Sequence, residues 1–337
     1  MQPASTPGLG PHCVGQRVVV RRVVRGETGP SGGPAMTDLL GEMTSWSATS
    51  TTVRAEDGTL VEIALADIVS GKPVPPRPSV RLRVSPDRAE RLALAGWPAP
   101  DTEPLGDWLL RAAGGFSARA NSVLASGSPG VPFAAAVERV VAFYAGRDLP
   151  AWAQVIAGSD EQRAFEDAGW VPARPGEADS CFQLGSTARL ARSLRPLAPA
   201  DPPPSHLAPT ASDAWLANDG RALRDVSVAR AVLEGPAEVG FVTLGPTADH
   251  VWAKGRVSAA NDWAGITDVW VDPARRRHGL ALAVMQELVR WAAERGATTT
   301  YLQTRGDNPA ALALYDRLGF VTHHEYRYLA PPPQASA

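Results

Sequence analysis

Residues 268–296, DVWVDPARRRHGLALAVMQELVRWAAERG, change period within a few positions, from an apolar strand run through a basic turn to a helix. In the helical part Leu282, Met285, Val289 and Ala292 fall on one face, with Glu287, Arg290 and Glu294 opposite. A strand feeding directly into an amphipathic helix demands a sheet for that helix to cover, so the chain must contain an α/β layer. The surrounding pattern extends it: strands at Glu238–Leu244, His250–Val257 and Gly265–Val271, a helix at Gly279–Arg295, a strand at Thr299–Thr304, a helix at Pro309–Leu318, and a strand at Phe320–Tyr328.

Two proline clusters, Lys72–Pro78 and Arg195–Pro209, divide the 337 residues into three. The expected organisation is a loose start at 1–13, a small all-β barrel at 14–71 and a linker at 72–85. An α/β unit at 86–190, a proline-rich linker at 191–212, the strand–helix unit at 213–329 and a tail at 330–337 complete it. The barrel is read from short strands around the Asp57-Gly58 hairpin turn, flanked by Thr51–Arg54 and Leu60–Ile63. The order of its strands resembles an SH3-like barrel, a shape that hosts many roles. The middle and last units read as diverged copies of one another: Gly146 precedes Gly169-Trp170 as Gly296 precedes Gly319-Phe320, with a strand and a short helix between them in both.

Charge and cysteine content narrow the function. A formal charge of −2 with interspersed signs offers no nucleic-acid footprint. No apolar run is long enough to span a membrane, and two distant cysteines, Cys13 and Cys181, argue for a reducing, cytoplasmic home. The six histidines lack ligand spacing, so no metal is expected, and His323 and His324 should point to opposite faces of a strand.

The chemistry is carried by two segments. Arg276-Arg277-His278-Gly279-Leu280-Ala281 places cations and small residues at a helix start, where free amides and the dipole attract phosphate. Thirty residues on, Asn308 and Pro309 open a helix that Gly319 stops, and Tyr315 lies on its packed face, where a Leu would serve as well. A phenol in that place asks for a partner.

These two segments together resemble the GNAT superfamily of N-acyltransferases, whose R/Q-x-x-G-x-G/A loop is followed by a helix, a strand and N-x-x-A-x-x-L-Y-x-x-x-G-F. Ala281 replaces the second glycine, which the family tolerates. The resemblance implies a mixed α/β sheet that parts between Gly265–Val271 and Thr299–Thr304 to hold acetyl-CoA. Its contacts would be the backbone of Val269 to Val271, the loop Arg276–Ala281, Asn308 and Ala311, with Tyr315 as general acid. The fold class is thus a C-terminal GNAT fold, a degenerate GNAT-like middle unit and the N-terminal barrel. The whole arrangement is similar to a group of actinobacterial GNAT proteins, the run Trp108–Val123 included. Ser126–Pro132 has no arginine before Gly130, and Phe165 stands where Tyr315 stands, so the middle unit is expected to be structural or to wall the substrate cleft.

The implied reaction is acetyl transfer from acetyl-CoA to a primary amine in a ternary complex. Asp268 is named for catalysis, with Glu238 and Asp262 left as other bases; Trp263, Trp270 and Gln303 are the substrate-side candidates. A second reading, an acyl-CoA sensor without turnover, stays open, as do the acceptor's identity and the oligomeric state, a homodimer included.

Overall fold

The computed structural model describes residues 8–29, 32–55, 57–74, 80–199 and 201–333, and the chain divides into two compact units between Ser79 and Val80.

The first unit is an antiparallel sheet of five strands: β1 (Arg17–Thr28), β2 (Pro34–Trp46), β3 (Ser50–Ala55), β4 (Leu60–Ala64) and β5 (Ile68–Pro73), in the order β4-β3-β2-β1-β5. Alternate residues of β1 turn Val18 and Val20 inward onto Met43, Val53 and Ile63, the two-residue period expected of a half-buried strand. Of the start expected to be loose, residues 1–7 lie outside the described residues, while Pro11–Cys13 forms a 3₁₀ turn whose Cys13 is fully buried in this core. Likewise the strand β5 extends into the expected linker, to Pro73.

The second unit runs α1 (Pro86–Leu94), β6 (Asp101–Leu105), β7 (Trp108–Ala112), β8 (Val123–Leu124), α2 (Phe133–Ala145), β9 (Ala153–Ile156), α3 (Asp160–Asp167), β10 (Val171–Pro172), β11 (Ser180–Ser186) and α4 (Thr187–Leu194). It continues with β12 (Ser205–Ala208), α5 (Asp213–Ala217), α6 (Val226–Leu233), β13 (Glu238–Leu244), β14 (Ala253–Ala260), β15 (Trp263–Val271), α7 (Leu280–Glu294), β16 (Thr299–Arg305), α8 (Pro309–Leu318) and β17 (Val321–Ala330).

The repeat read from the sequence has a matching geometry. In the first half β8 and β9 are parallel neighbours around α2, and in the second β15 and β16 are parallel neighbours around α7. A short helix (α3, α8) and a last strand (β11, β17) follow in each. Those last strands are exchanged: β11 lies against β16, β17 lies against β9, and the two pair with each other at the centre. One continuous mixed sheet results, in the order β12-β13-β14-β15-β16-β11-β17-β9-β8-β7-β6.

The expected linker at 191–212 is not a bare connector. Its proline-free Ser205–Ala208 adds an edge strand to β13, a position where flanking prolines cost no ladder bonds. The helix α7 buries Leu280, Val284, Met285, Leu288 and Val289 against β13, β14 and β15. At about 1.5–3 kcal/mol for each large apolar side chain taken from water, that face holds the helix to the sheet. On its outer face Arg290 pairs with Glu287 and Glu294.

Candidate functional site

The cleft begins where two parallel strands part. β15 and β16 pair from Trp263–Ile266 against Thr299–Leu302 and no further, while β15 stays paired with β14 as far as Val271. Within that free stretch β15 bulges: Trp270 lies opposite Lys254 and Thr267 opposite Arg256, and Asp268 takes φ +55°. A left-handed non-glycine residue is uncommon, and aspartate is one of the few that tolerate it. Bulges of this kind re-aim side chains next to sites.

The basic turn meets the start of α7 at the same end of the strand. Gly279 is the N-cap at φ +78°, and an added Cβ would stand 3.3 Å from Pro199. No side chain caps this helix, so its first amides point outward unsatisfied. Arg276, Arg277 and His278 are exposed; neither arginine has an acidic partner among the described residues, and His278 Nδ1 contacts the Arg276 carbonyl at 2.8 Å. On α8, Asn308 accepts the Ala311 amide through Oδ1 at 3.2 Å, and Gly319 at φ +98° ends the helix.

Tyr315 packs edge-on against Phe320, ring centres 5.7 Å apart, beside the α7 core and the partly buried Val269 and Val271. Burial pushes its phenol up to about 12. Its hydroxyl makes no hydrogen bond among the described residues.

The first half keeps the helix signals, α2 likewise having no side-chain cap and α3 being capped by Ser159 and followed by Gly169 at φ +83°, but it lacks the arginines of the turn and the phenol. Its corresponding loop spends its amides on its own carboxylates, Gly127 donating to Glu161 at 2.8 Å and Ser128 to Asp107 at 2.9 Å. Phe165 is fully buried against Trp108, Phe133 and Trp170. This half instead walls a cavity of about 630 Å³, which Trp97, Phe116 and Trp152 share with Thr267, Asp268 and Gln303 of the second half.

Of the three carboxylates considered as bases, only Asp268 lines that cavity. Glu238 pairs with Arg295 at 3.2 Å, and Asp262 caps a turn through the Thr298 hydroxyl at 2.7 Å. Asp268 is gripped by Arg221, which also holds Asp219 at 2.7 Å, while Asp268 Oδ2 is enclosed without a partner. Burial works against the Arg221 charge, but the two carboxylates outweigh it and raise its pKa.

Two of the substrate-side candidates lie elsewhere. Trp263 opens β15 at the paired end of the sheet and packs with Tyr301 and Phe182, and Trp270 does not line the cavity. Gln303 does, and its Nε2 donates to buried Glu90 at 3.3 Å. His323 and His324 do not point apart: a bulge in β17 opposite Phe182 and Gln183 brings their Nδ1 atoms within 2.8 Å, and His324 reaches Glu90 at 3.0 Å. Arg221, Arg119 and Glu90 were not singled out from the sequence, because none belongs to a motif.

Behind the bulge lies Lys254, fully buried and donating to the Trp215 carbonyl at 2.6 Å. Burial lowers its pKa to about 8, against the pull of Asp268 and Asp219. The folded protein therefore sheds this proton well before the unfolded chain does, and between those two pKa values the unfolded chain binds more protons, so this group makes folding more favourable as pH rises. Denaturant titrations at pH 7.5 and 10 are expected to show the gap between wild type and Lys254→Met moving in the wild type's favour at the higher pH; a constant gap would contradict the assignment.

The residues present suit an acyl-CoA: a helix start without a side-chain cap, a free strand edge and, among the described residues, two arginines without an acidic partner and a phenol without a hydrogen bond. A family model described as "Probable histone acetyltransferase Rv0428c C-terminal" matches residues 85–329. The chain belongs to this GNAT acetyltransferase family. A second model, "Rv0428c N-terminal Sm-like domain", matches residues 12–72, and the five-stranded unit is compatible with both an Sm-like and an SH3-like description. The Mycobacterium tuberculosis protein named "Probable histone acetyltransferase Rv0428c" is 30% identical over 96% of this chain and 96% of its own length. The Bacillus subtilis "Uncharacterized N-acetyltransferase YobR" is 29% identical over 71% of this chain and 97% of its own. A GCN5-related N-acetyltransferase from Kribbella flavida shares the fold at TM-score 0.50 and 18% identity, covering 73% of this chain and 95% of that one. A tandem GNAT protein from the clavulanic acid biosynthesis pathway does so at TM-score 0.51 and 14% identity, over 74% and 89%. As a GNAT acetyltransferase the chain is an acyltransferase enzyme, and the sensor reading gives way to it. Enzymes of this family use acetyl-CoA. Among the described residues no helix is long and apolar enough to cross a membrane.

Proposed function

We propose that this GNAT enzyme transfers the acetyl group of acetyl-CoA to a primary amine by direct attack in a ternary complex. The observation that carries the reading is the free edge of β15 beyond Ile266, ending at an uncapped helix start beside unpaired Arg276 and Arg277. In this reading Arg276 to Ala281 hold the pyrophosphate, Val269, Trp270 and Val271 offer backbone groups to the pantetheine arm, and Asn308 and Ala311 border it. Acetyl-CoA supplies an acyl thioester. Tyr315, protonated at neutral pH and without a protein partner, gives its proton to the departing sulfur.

Asp268 is our assignment at the amine end. Arg221 fixes one of its oxygens, and the other, enclosed and partnerless, takes the amine's proton once the carboxylate turns toward the cavity. Direct attack is favoured over an acylated cysteine, because Cys13 is buried in the five-stranded unit and burial with nearby Glu325 pushes the Cys181 thiol up, away from the nucleophilic thiolate. The enzyme acts in the cytoplasm in this reading, with acetyl-CoA and an amine as its partners.

Thiol release from acetyl-CoA against a panel of amines tests it. Release that depends on the amine, with initial-rate lines that intersect, is the expected result; parallel lines would remove the ternary complex. Asp268→Asn is expected to lower kcat/KM for the acceptor by about 100-fold while the Kd for acetyl-CoA stays within about twofold. An Asp268→Asn enzyme as active as wild type would take the base role from this residue.

A further inference from the structure

We infer that the acceptor amine also carries an anionic group, a carboxylate or phosphate, on a flat apolar body. This rests on the acetyl-transfer reading for the amine and on the cavity itself for the anion. The cavity of about 630 Å³ is lined by five arginines and by a single carboxylate, Asp268. Three of the five are already matched: Arg221 by Asp219 and Asp268, Arg174 by Glu177, and Arg305 by Glu177 and Asp307. Arg119 and Arg224 are not. Neither guanidinium has a hydrogen bond or an acidic partner among the described residues, and Arg119 Nε is enclosed without an acceptor.

An enclosed guanidinium nitrogen without an acceptor is costly, since its hydration is lost and no hydrogen bond replaces it. The ring contact of Arg119 is with Trp97, 5.1 Å away; burial works against its charge, and nearby Tyr326, Tyr328, Tyr301 and Glu90 offset that without bonding to the guanidinium. An incoming anion supplies the missing partner, and guanidinium recognises carboxylate and phosphate through the same paired donors. The aromatic walls, Trp97, Phe116, Trp152 and Tyr328, suit a flat body between the amine and the anion. The same charge pattern disfavours polyamines and lysine-rich peptides, whose extra cations would face arginines instead of acids.

The test uses the full-length enzyme and pairs of amines that differ only in charge: tryptophan against tryptophanamide, and O-phosphotyrosinamide against tyrosinamide, with spermidine beside them. In kcat/KM, at least one anionic member is expected to exceed its neutral counterpart by about tenfold or more, the size of a charge-assisted hydrogen bond. That ratio is expected to fall to within about twofold in Arg119→Gln or Arg224→Gln. Which pair responds distinguishes carboxylate from phosphate. Neutral members or spermidine used as well as the anions, or ratios untouched by both substitutions, would overturn the inference and leave the acetyl-transfer reading standing.

Calorimetry with N-acetyltryptophan against N-acetyltryptophanamide gives a readout that needs no turnover. Preference for the acid, lost in Arg119→Gln but kept in Arg276→Gln, supports the anion site even if acetyl-CoA fails to bind, an outcome that would sink only the acetyl-transfer reading. Equal binding of acid and amide, together with equal binding of N-acetyl-O-phosphotyrosinamide and N-acetyltyrosinamide, overturns the anion site.

Discussion

Tyr315→Phe is expected to lower kcat by about 100-fold or more, in the range that a positioned general acid contributes. The Kd for acetyl-CoA should stay within about twofold, because the substitution keeps the ring that packs on Phe320 and removes only an oxygen with no partner among the described residues. For the same reason the melting temperature should not fall, since no intramolecular hydrogen bond is lost. A phenol pushed up to about 12 remains protonated across the neutral range, so the acid needs no titration to be ready. Steady-state thiol release, calorimetry and thermal unfolding of the same preparation separate these claims. A variant with full kcat would show that the leaving thiolate takes its proton from another source. A variant that loses kcat and acetyl-CoA binding together would make Tyr315 a binding residue.

The second large effect is expected at Gly279. A valine there must adopt φ +78°, a left-handed conformation that costs a β-branched residue about 1–2 kcal/mol or more, with its Cβ 3.3 Å from Pro199. The loop can relieve this only by moving the first amides of α7, the groups assigned to the pyrophosphate. Gly279→Val is therefore expected to raise the Kd for CoA by more than about tenfold, the equivalent of about 1.4 kcal/mol. Gly130, at φ +70° in the first half, provides the contrast. Gly130→Ala should cost stability for the same backbone reason and leave CoA affinity within about twofold, because the amides of that loop already serve Glu161 and Asp107. Equal loss of CoA affinity in both variants would mean that the first half also binds the nucleotide.

The contrast between the two halves was legible in the sequence because it is local. A basic turn against one without arginine and a tyrosine against a phenylalanine act within a few residues of where they stand. The cavity was not legible in this way. Arg119 lies in a turn after β7, Arg221 precedes α6, and Gln303 is on β16; they converge only because the sheet is built from both halves. Trp263 was drawn toward the cleft by its place on β15, yet it sits where β15 and β16 are still paired. The proximity of His323 and His324 depends on a bulge set by the register against β11, which the alternation of the strand alone could not reveal.

The exchange of β11 and β17 also bears on how the chain is made. β9 pairs through Ile156 with Tyr326, so during N-to-C synthesis the first half waits with one sheet edge open until β17 has followed. An open edge is a template for the wrong neighbour, and it persists while the residues between β9 and β17, about half of this sequence, are added. A nascent chain halted after the first half would thus be an exposed, unfinished sheet, and β17 is the strand that completes both halves, pairing with β11 on one side and β9 on the other.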